Sequence, residues 1–174
     1  MPHLEKPGST LARVRTIPDP GFRDDDGSPD AGLRAALERY AVDSRPAPVL
    51  VALTGARLLV PVIAVLDEAG VSNSGTRVDK SSDMAAVLMT GRDGRQALLA
   101  FSGTDALLAW EPSARPVPVS VRLAATAACQ EGAAALVLDI AGPVRFVVQA
   151  DDLQRMAAGD VLVPVADGHG WRPT

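Results

Sequence analysis

Two apolar runs, residues 84–90 and 96–101, flank the tetrapeptide Gly91-Arg92-Asp93-Gly94, and no other stretch constrains the chain as strongly. Apolar runs of strand length divided by turn-forming residues fold back on each other as an antiparallel hairpin. The same order recurs in residues 134–140, the turn Ala141-Gly142-Pro143 and residues 144–149. Each hairpin leads into a helix-forming segment. In the first, Ser102 or Thr104 can cap a helix that turns Ala106, Leu107 and Trp110 inward; the second opens at Asp151 and Asp152 and closes at Gly159. Phe101 and Val148 hold comparable places in the two units, which suggests an internal repeat packed about a shared sheet.

The remaining segments fit around these hairpins. Residues 1–29 are rich in proline, carry Asp24-Asp25-Asp26 and space their apolar residues too widely for burial, so they read as a mobile acidic tail. A single domain is expected over residues 30–166. Asp30 is placed to cap a helix bearing Leu33, Ala36, Leu37 and Tyr40 on one face, and a short second helix over residues 49–53 should stop at Gly55. Residues 56–65 read as an apolar strand in which Pro61, lacking an N–H, argues for an edge or a bulge. Arg115-Pro116-Val117-Pro118-Val119 should be extended, residues 120–131 helical and residues 160–165 a last short strand, with residues 167–174 a flexible end. The fold class that follows is α+β, a mixed or antiparallel sheet built from two β-hairpins plus one or two further strands, with helices mainly on one face.

Charge and composition exclude several functions. A net charge of −4 and a pI near 5.1 are the reverse of the basic footprint that nucleic-acid backbones require, and an aromatic content of 3% leaves little for base stacking. Cys129 is the single cysteine, so neither an intramolecular disulfide nor a cysteine-built zinc site is available. No apolar stretch reaches bilayer-spanning length, and the first residues lack the apolar core of an export signal. A cytoplasmic protein without membrane contact is expected.

Catalytic chemistry is equally sparse. His3 and His169 both fall in expected flexible ends, where no scaffold could hold a general base against a nucleophile. Cys129 lies in the C-terminal half of a helix, where the dipole opposes a thiolate. Gly70, Gly75, Lys80 and Ser81 look like scattered parts of a phosphate loop, but Asp79 stands where the motif needs glycine and the segment leads into a strand. Glu38, Asp105 and Asp139 read as surface or capping groups. What remains is the polar cluster Asp79, Lys80, Ser81, Ser82 and Asp83, ahead of a strongly apolar strand. It is the candidate interaction loop, with Arg95 and Arg115 as secondary contacts. No catalytic residue, metal or cofactor is expected, and a protein is the expected partner.

Several ordered blocks carry a family resemblance: Leu58-Leu59-Val60-Pro61-Val62, Asp79-Lys80-Ser81-Ser82-Asp83-Met84-Ala85, Asp93-Gly94-Arg95, Ala100-Phe101-Ser102, Arg115-Pro116-Val117-Pro118-Val119 and Ala141-Gly142-Pro143. From about Leu33 to Val165 the chain resembles the actinobacterial SseB family, whose shared unit is the SseB protein N-terminal domain. That family takes its name from an enhanced-serine-sensitivity phenotype, and the resemblance supplies no activity. It is distinct from the similarly named sulfurtransferases, which need a catalytic loop cysteine, and from a similarly named translocon protein, which needs long coiled coils. The expected function is a non-catalytic binding or interaction module. The alternative is a regulator or enzyme tied to amino-acid metabolism, with Lys80, Ser81 or Arg95 meeting a small anionic metabolite.

Overall fold

The computed structural model of the chain describes residues 9–11, 22, 24–64, 84–166 and 168–174. Its elements, in chain order, are β1 (Ser9–Leu11), α1 (Ala31–Asp43), α2 (Pro46–Gly55), β2 (Arg57–Ala64), β3 (Met84–Thr90), β4 (Gln96–Ala100), α3 (Thr104–Trp110), β5 (Arg115–Ser120), α4 (Val121–Gln130), β6 (Ala135–Leu138), β7 (Phe146–Gln149), α5 (Ala150–Ala158), β8 (Val161–Val165) and β9 (Gly168–Arg172). Local chemistry accounts for the helix ends. Asp30 accepts a hydrogen bond from the Leu33 N–H at 2.9 Å and so caps α1, and Pro46 opens α2 where its missing donor costs nothing. Ser120 caps α4 through Leu123, and Gly159 takes the left-handed conformation that ends α5.

The main sheet runs β5-β2-β3-β4-β6-β7, with β1 also paired to β3, and it is mixed. Both expected hairpins form, β3 with β4 and β6 with β7, each antiparallel. They join through β4 and β6, which run parallel in the register Ala97↔Ala135 to Ala100↔Leu138. The chain between these two strands passes through α3, β5 and α4.

Alternation along the strands then divides the core in two. Leu58, Val60, Leu88, Leu98, Leu136 and Leu138 point to one face, where they meet α1, α2, α4 and α5. Leu59, Val87, Leu99, Phe101 and Val137 point to the other, where α3 supplies Leu107. The near-continuous apolar runs are therefore strands buried on both sides, and helices do cover mainly one face. Phe101 and Val148 lie in different clusters, so the two strand-turn-strand-helix units are not superposable copies. The second unit presents the opposite face to its helix.

Pro61 does not mark an edge. β2 is inside the sheet, between β5 and β3. Leu59 exchanges both backbone hydrogen bonds with Phe101, each 2.8 Å, so Pro61, two residues on, turns its donor-less nitrogen to the same side. It falls in the interval between that bridge and the pairing with β3, which begins at Val62↔Ala86. Opposite Leu59 and Pro61 stand Pro118 and Pro116 of the edge strand β5, whose nitrogens consequently face outward. The rim of β5 offers no N–H at these two positions, a common way of blunting a sheet edge.

Two segments expected to be mobile carry structure. Residues 168–172 form β9, paired with β8, and the Trp171 indole donates to Asp152 Oδ1 at 2.9 Å. Within the first 29 residues, Ser9–Leu11 pairs with β3, and residues 24–29 pack against the domain as described below. A local reading could not find these contacts, because each depends on a partner far along the chain.

Candidate functional site

Parallel pairing of β4 and β6 brings their carboxyl ends together, and each strand is followed there by one polar residue, Ser102 after Phe101 and Asp139 after Leu138. In open sheets, the crevice beyond such strand ends is the usual seat for a ligand. Asp139 Oδ1 accepts the Ser102 backbone N–H at 2.8 Å, and Oδ2 accepts the Ser102 hydroxyl at 2.6 Å. Only 4% of Asp139 and 6% of Ser102 is exposed. Burial pushes the Asp139 carboxyl above its ordinary value, and the two bonds from Ser102 oppose that shift only in part.

The backbone here is held just as closely. The Asp139 N–H donates to the Ala100 carbonyl at 3.0 Å, and the residue sits at a φ of 52°, a region that non-glycine residues seldom enter. Gly142 closes the turn by donating to the Asp139 carbonyl at 2.9 Å, and a Cβ there would lie 3.0 Å from Asp139 Cβ. Strain of this kind collects where surrounding structure fixes one arrangement.

A second set of bonds ties the segment before α1 to the same corner. Arg57, first residue of β2, donates through Nε to Asp25, through Nη2 to the Ser28 carbonyl at 2.7 Å and through Nη1 to the Ser102 carbonyl at 3.1 Å. One guanidinium thus connects residues 25–28 to the turn that holds Asp139. The Thr104 N–H also donates to the Gly27 carbonyl at 2.8 Å. Gly27 has a φ of 77°, and an added Cβ would fall 2.0 Å from Thr104 Oγ1, so only glycine suits this crossing.

Above the Ser102–Asp139 pair lies an open crevice of about 360 Å³. α1 contributes Arg34, Leu37 and Glu38, and α3 contributes Asp105, Ala106 and Ala109. The turn between β6 and β7 and Pro29 complete the walls. The lining is mainly apolar with a few converging polar groups, which is the ordinary composition of a small-molecule site. Chemically, the Ser102 hydroxyl donates to the Asp139 carboxyl, whose pKa burial holds above its ordinary value.

Of the interaction residues singled out from sequence, the two that are described, Arg95 and Arg115, do not line this crevice. Asp79, Lys80, Ser81, Ser82 and Asp83 lie outside the described residues. Arg95 is exposed in the β3–β4 turn, at the opposite end of β4 from Ser102, with its Nε donating to Asp93 at 2.6 Å; that partner holds the Asp93 carboxyl below its usual value. Arg115 is exposed at the start of β5, opposite Val62. Ser102 or Thr104 was expected to cap α3, but α3 begins at Thr104 after Gly103 with no side-chain cap. Asp139, expected as a surface or capping group, is buried. A weak signal existed: both residues directly follow apolar strands, where a lone polar side chain must find a partner or reach solvent. Cys129 is partly buried in α4, packed against the core. Among the described residues there is no group of three His, Cys, Asp or Glu side chains arranged to hold a metal, and no helix is long and apolar enough to cross a membrane.

No curated protein and no solved structure matches this chain. The family model described as SseB protein N-terminal domain matches residues 33–155, from Leu33 in α1 to Arg155 in α5. That span takes in Arg57, Ser102, Asp139 and every wall of the crevice except Pro29. The match covers well over half of the sequence, and the chain belongs to the SseB family.

Proposed function

We propose that this SseB domain is a non-catalytic binding module whose ligand seat is the crevice at the carboxyl ends of β4 and β6. The observation that carries the reading is the Ser102–Asp139 pair. Both donors of Ser102 end on one buried carboxyl, so the polar floor of the crevice is held in place by its own bonds and acts as a rigid base for recognition. Among the described residues no histidine lines the crevice to relay a proton from the Ser102 hydroxyl. Partner recognition is assigned to the segment containing Asp79, Lys80, Ser81, Ser82 and Asp83, on the strength of its concentration of polar residues beside an apolar strand. Arg115 fits this role less well as part of an added sheet strand, since Pro116 and Pro118 remove outward donors from β5. The lone cysteine and acidic composition favour a reducing cytoplasmic setting.

A melting-shift screen of small metabolites tests the reading, run on the wild type and on Ala109→Phe, which fills the exposed side of the crevice. A ligand that stabilises the wild type, fails with Ala109→Phe and is recovered chemically unchanged supports it. Absence of any stabilising ligand, stabilisation that persists in the filled variant, or consumption of the ligand overturns it.

A further inference from the structure

We infer that the crevice takes a small zwitterion, a molecule with one cationic and one anionic group on a short apolar body; this rests on the crevice being the ligand seat proposed above. The argument begins with the charges on its walls. Among the described residues, Arg34 is the one cationic side chain lining it, and Glu38 and Asp105 are its exposed carboxylates. Among the described residues none of the three forms an ion pair, whereas Arg57, Arg95 and Arg155 all do.

The absence of internal pairing has a physical cause. Arg34 and Glu38 are one helical turn apart on α1, but with the base on the N-terminal side, the less favourable order for such a pair. Asp105 belongs to α3, on the other wall. Guanidinium and carboxylates are therefore offered to the cavity and not to each other. Between them the surface is apolar, from Leu37 on α1 to Ala106 on α3 and Val144 beyond the β6–β7 turn. A ligand with a single positive charge would leave Arg34 unanswered, and a single negative charge would meet two carboxylates. Only opposite charges on one small body answer both sets. About 360 Å³ limits that body to roughly the smaller ligands that protein pockets accept.

Three probes of one chain length separate the charges: 6-aminohexanoate, hexanoate and hexylammonium, each titrated into the full chain while backbone amide resonances are followed. The expected result is saturable movement of the Ala106, Ala109, Gly142 and Val144 amides with 6-aminohexanoate, at concentrations where the singly charged probes produce little. Arg34→Gln and Glu38→Gln should each weaken this binding roughly two- to fivefold, as expected for exposed charge pairs. Equal binding of hexanoate or hexylammonium would overturn the zwitterion while leaving the crevice as a ligand seat. Failure of all three to move these amides would overturn the zwitterion as well, and the Ala109→Phe screen then decides the crevice separately. Movement confined to other parts of the protein, or unchanged by either substitution, would also count against it.

Discussion

Asp139 accepts both of the donors that Ser102 offers, at 2.8 Å and 2.6 Å, across 37 positions of sequence. The pair ties together the ends of two paired parallel strands whose chain connection is a long crossover. Asp139→Ala should strand the buried Ser102 N–H and hydroxyl, at a cost of about 2–3 kcal/mol. Melting should fall by roughly 5–10 °C for a chain of this length. Asp139→Asn should be much milder, because the amide oxygen still accepts the N–H and asparagine tolerates the positive φ. Thermal unfolding of the two variants checks the ordering; equal losses would place the effect in packing and not in the hydrogen bonds.

The same carboxyl predicts a dependence on pH. Burial raises the Asp139 pKa in the folded state above the value of 3.8 for a free side chain. Folded protein then binds this proton more tightly than unfolded protein, so stability from this group falls as pH rises through that interval. The penalty is full above the folded pKa and absent below the unfolded one. Asp26 and Asp93 are shifted downward by hydrogen bonds from Ser28 and Arg95 respectively, and their contributions run the other way, being lost on acidification. Comparison with Asp139→Asn isolates the first effect. On acidification from neutral pH toward pH ~4, wild type should gain relative to the variant in urea unfolding; a constant difference would mean that the pKa is not raised.

The segment ahead of α1 should matter for stability, although its composition suggests a dispensable tail. The Arg57 and Asp25 side chains are 11% and 14% exposed, and the guanidinium also holds Ser28 and Ser102. Arg57→Ala leaves a sheltered carboxylate unpaired, which should cost about 3 kcal/mol, the lower end for a broken buried pair. Gly27→Ala, at its positive φ and against Thr104, should cost more than ~1 kcal/mol. Limited proteolysis should then cut residues 24–30 first. Removal of residues 2–21 alone tests a different contact, the β1 pairing, and should be distinguishable by a smaller loss.

For the polar segment ahead of β3, Lys80→Ala combined with Ser81→Ala should leave melting within a few degrees, as surface substitutions commonly do, and should weaken capture of a protein partner. Capture from lysate by wild type and double variant, compared at equal loading, measures it. Unchanged capture would remove this segment from the binding surface.

Strand and helix identities were legible in this sequence because their signals are local. Leu98-Leu99-Ala100-Phe101 announces a strand buried on both faces, and Asp30, Ser120 and Gly159 mark helix ends by their own chemistry. The candidate site was not legible for the opposite reason. Asp139 looks like any carboxylate at a turn until the parallel register of β4 and β6 sets it against Ser102, and Asp25 looks like part of a solvated acidic run until Arg57 reaches it. Pro61 shows the limit of a single-residue rule: it occupies an inner strand because the neighbouring pairing happens to be interrupted at its nitrogen. Pairing partners separated by dozens of residues leave no periodicity to read.

The parallel junction of β4 and β6 also sets an order of events in time. Each hairpin closes a short loop and can form within microseconds of collapse, whereas β4 meets β6 only after α3, β5 and α4 have been laid down between them. Loop-closure entropy falls on that late step. The walls of the crevice come from both sides of it, and from the Arg57 clasp as well. An incompletely folded chain can therefore possess both hairpins and most of its helices while having no ligand seat at all, and occupancy of the crevice would act as a sensor that registers the end of folding and not its beginning.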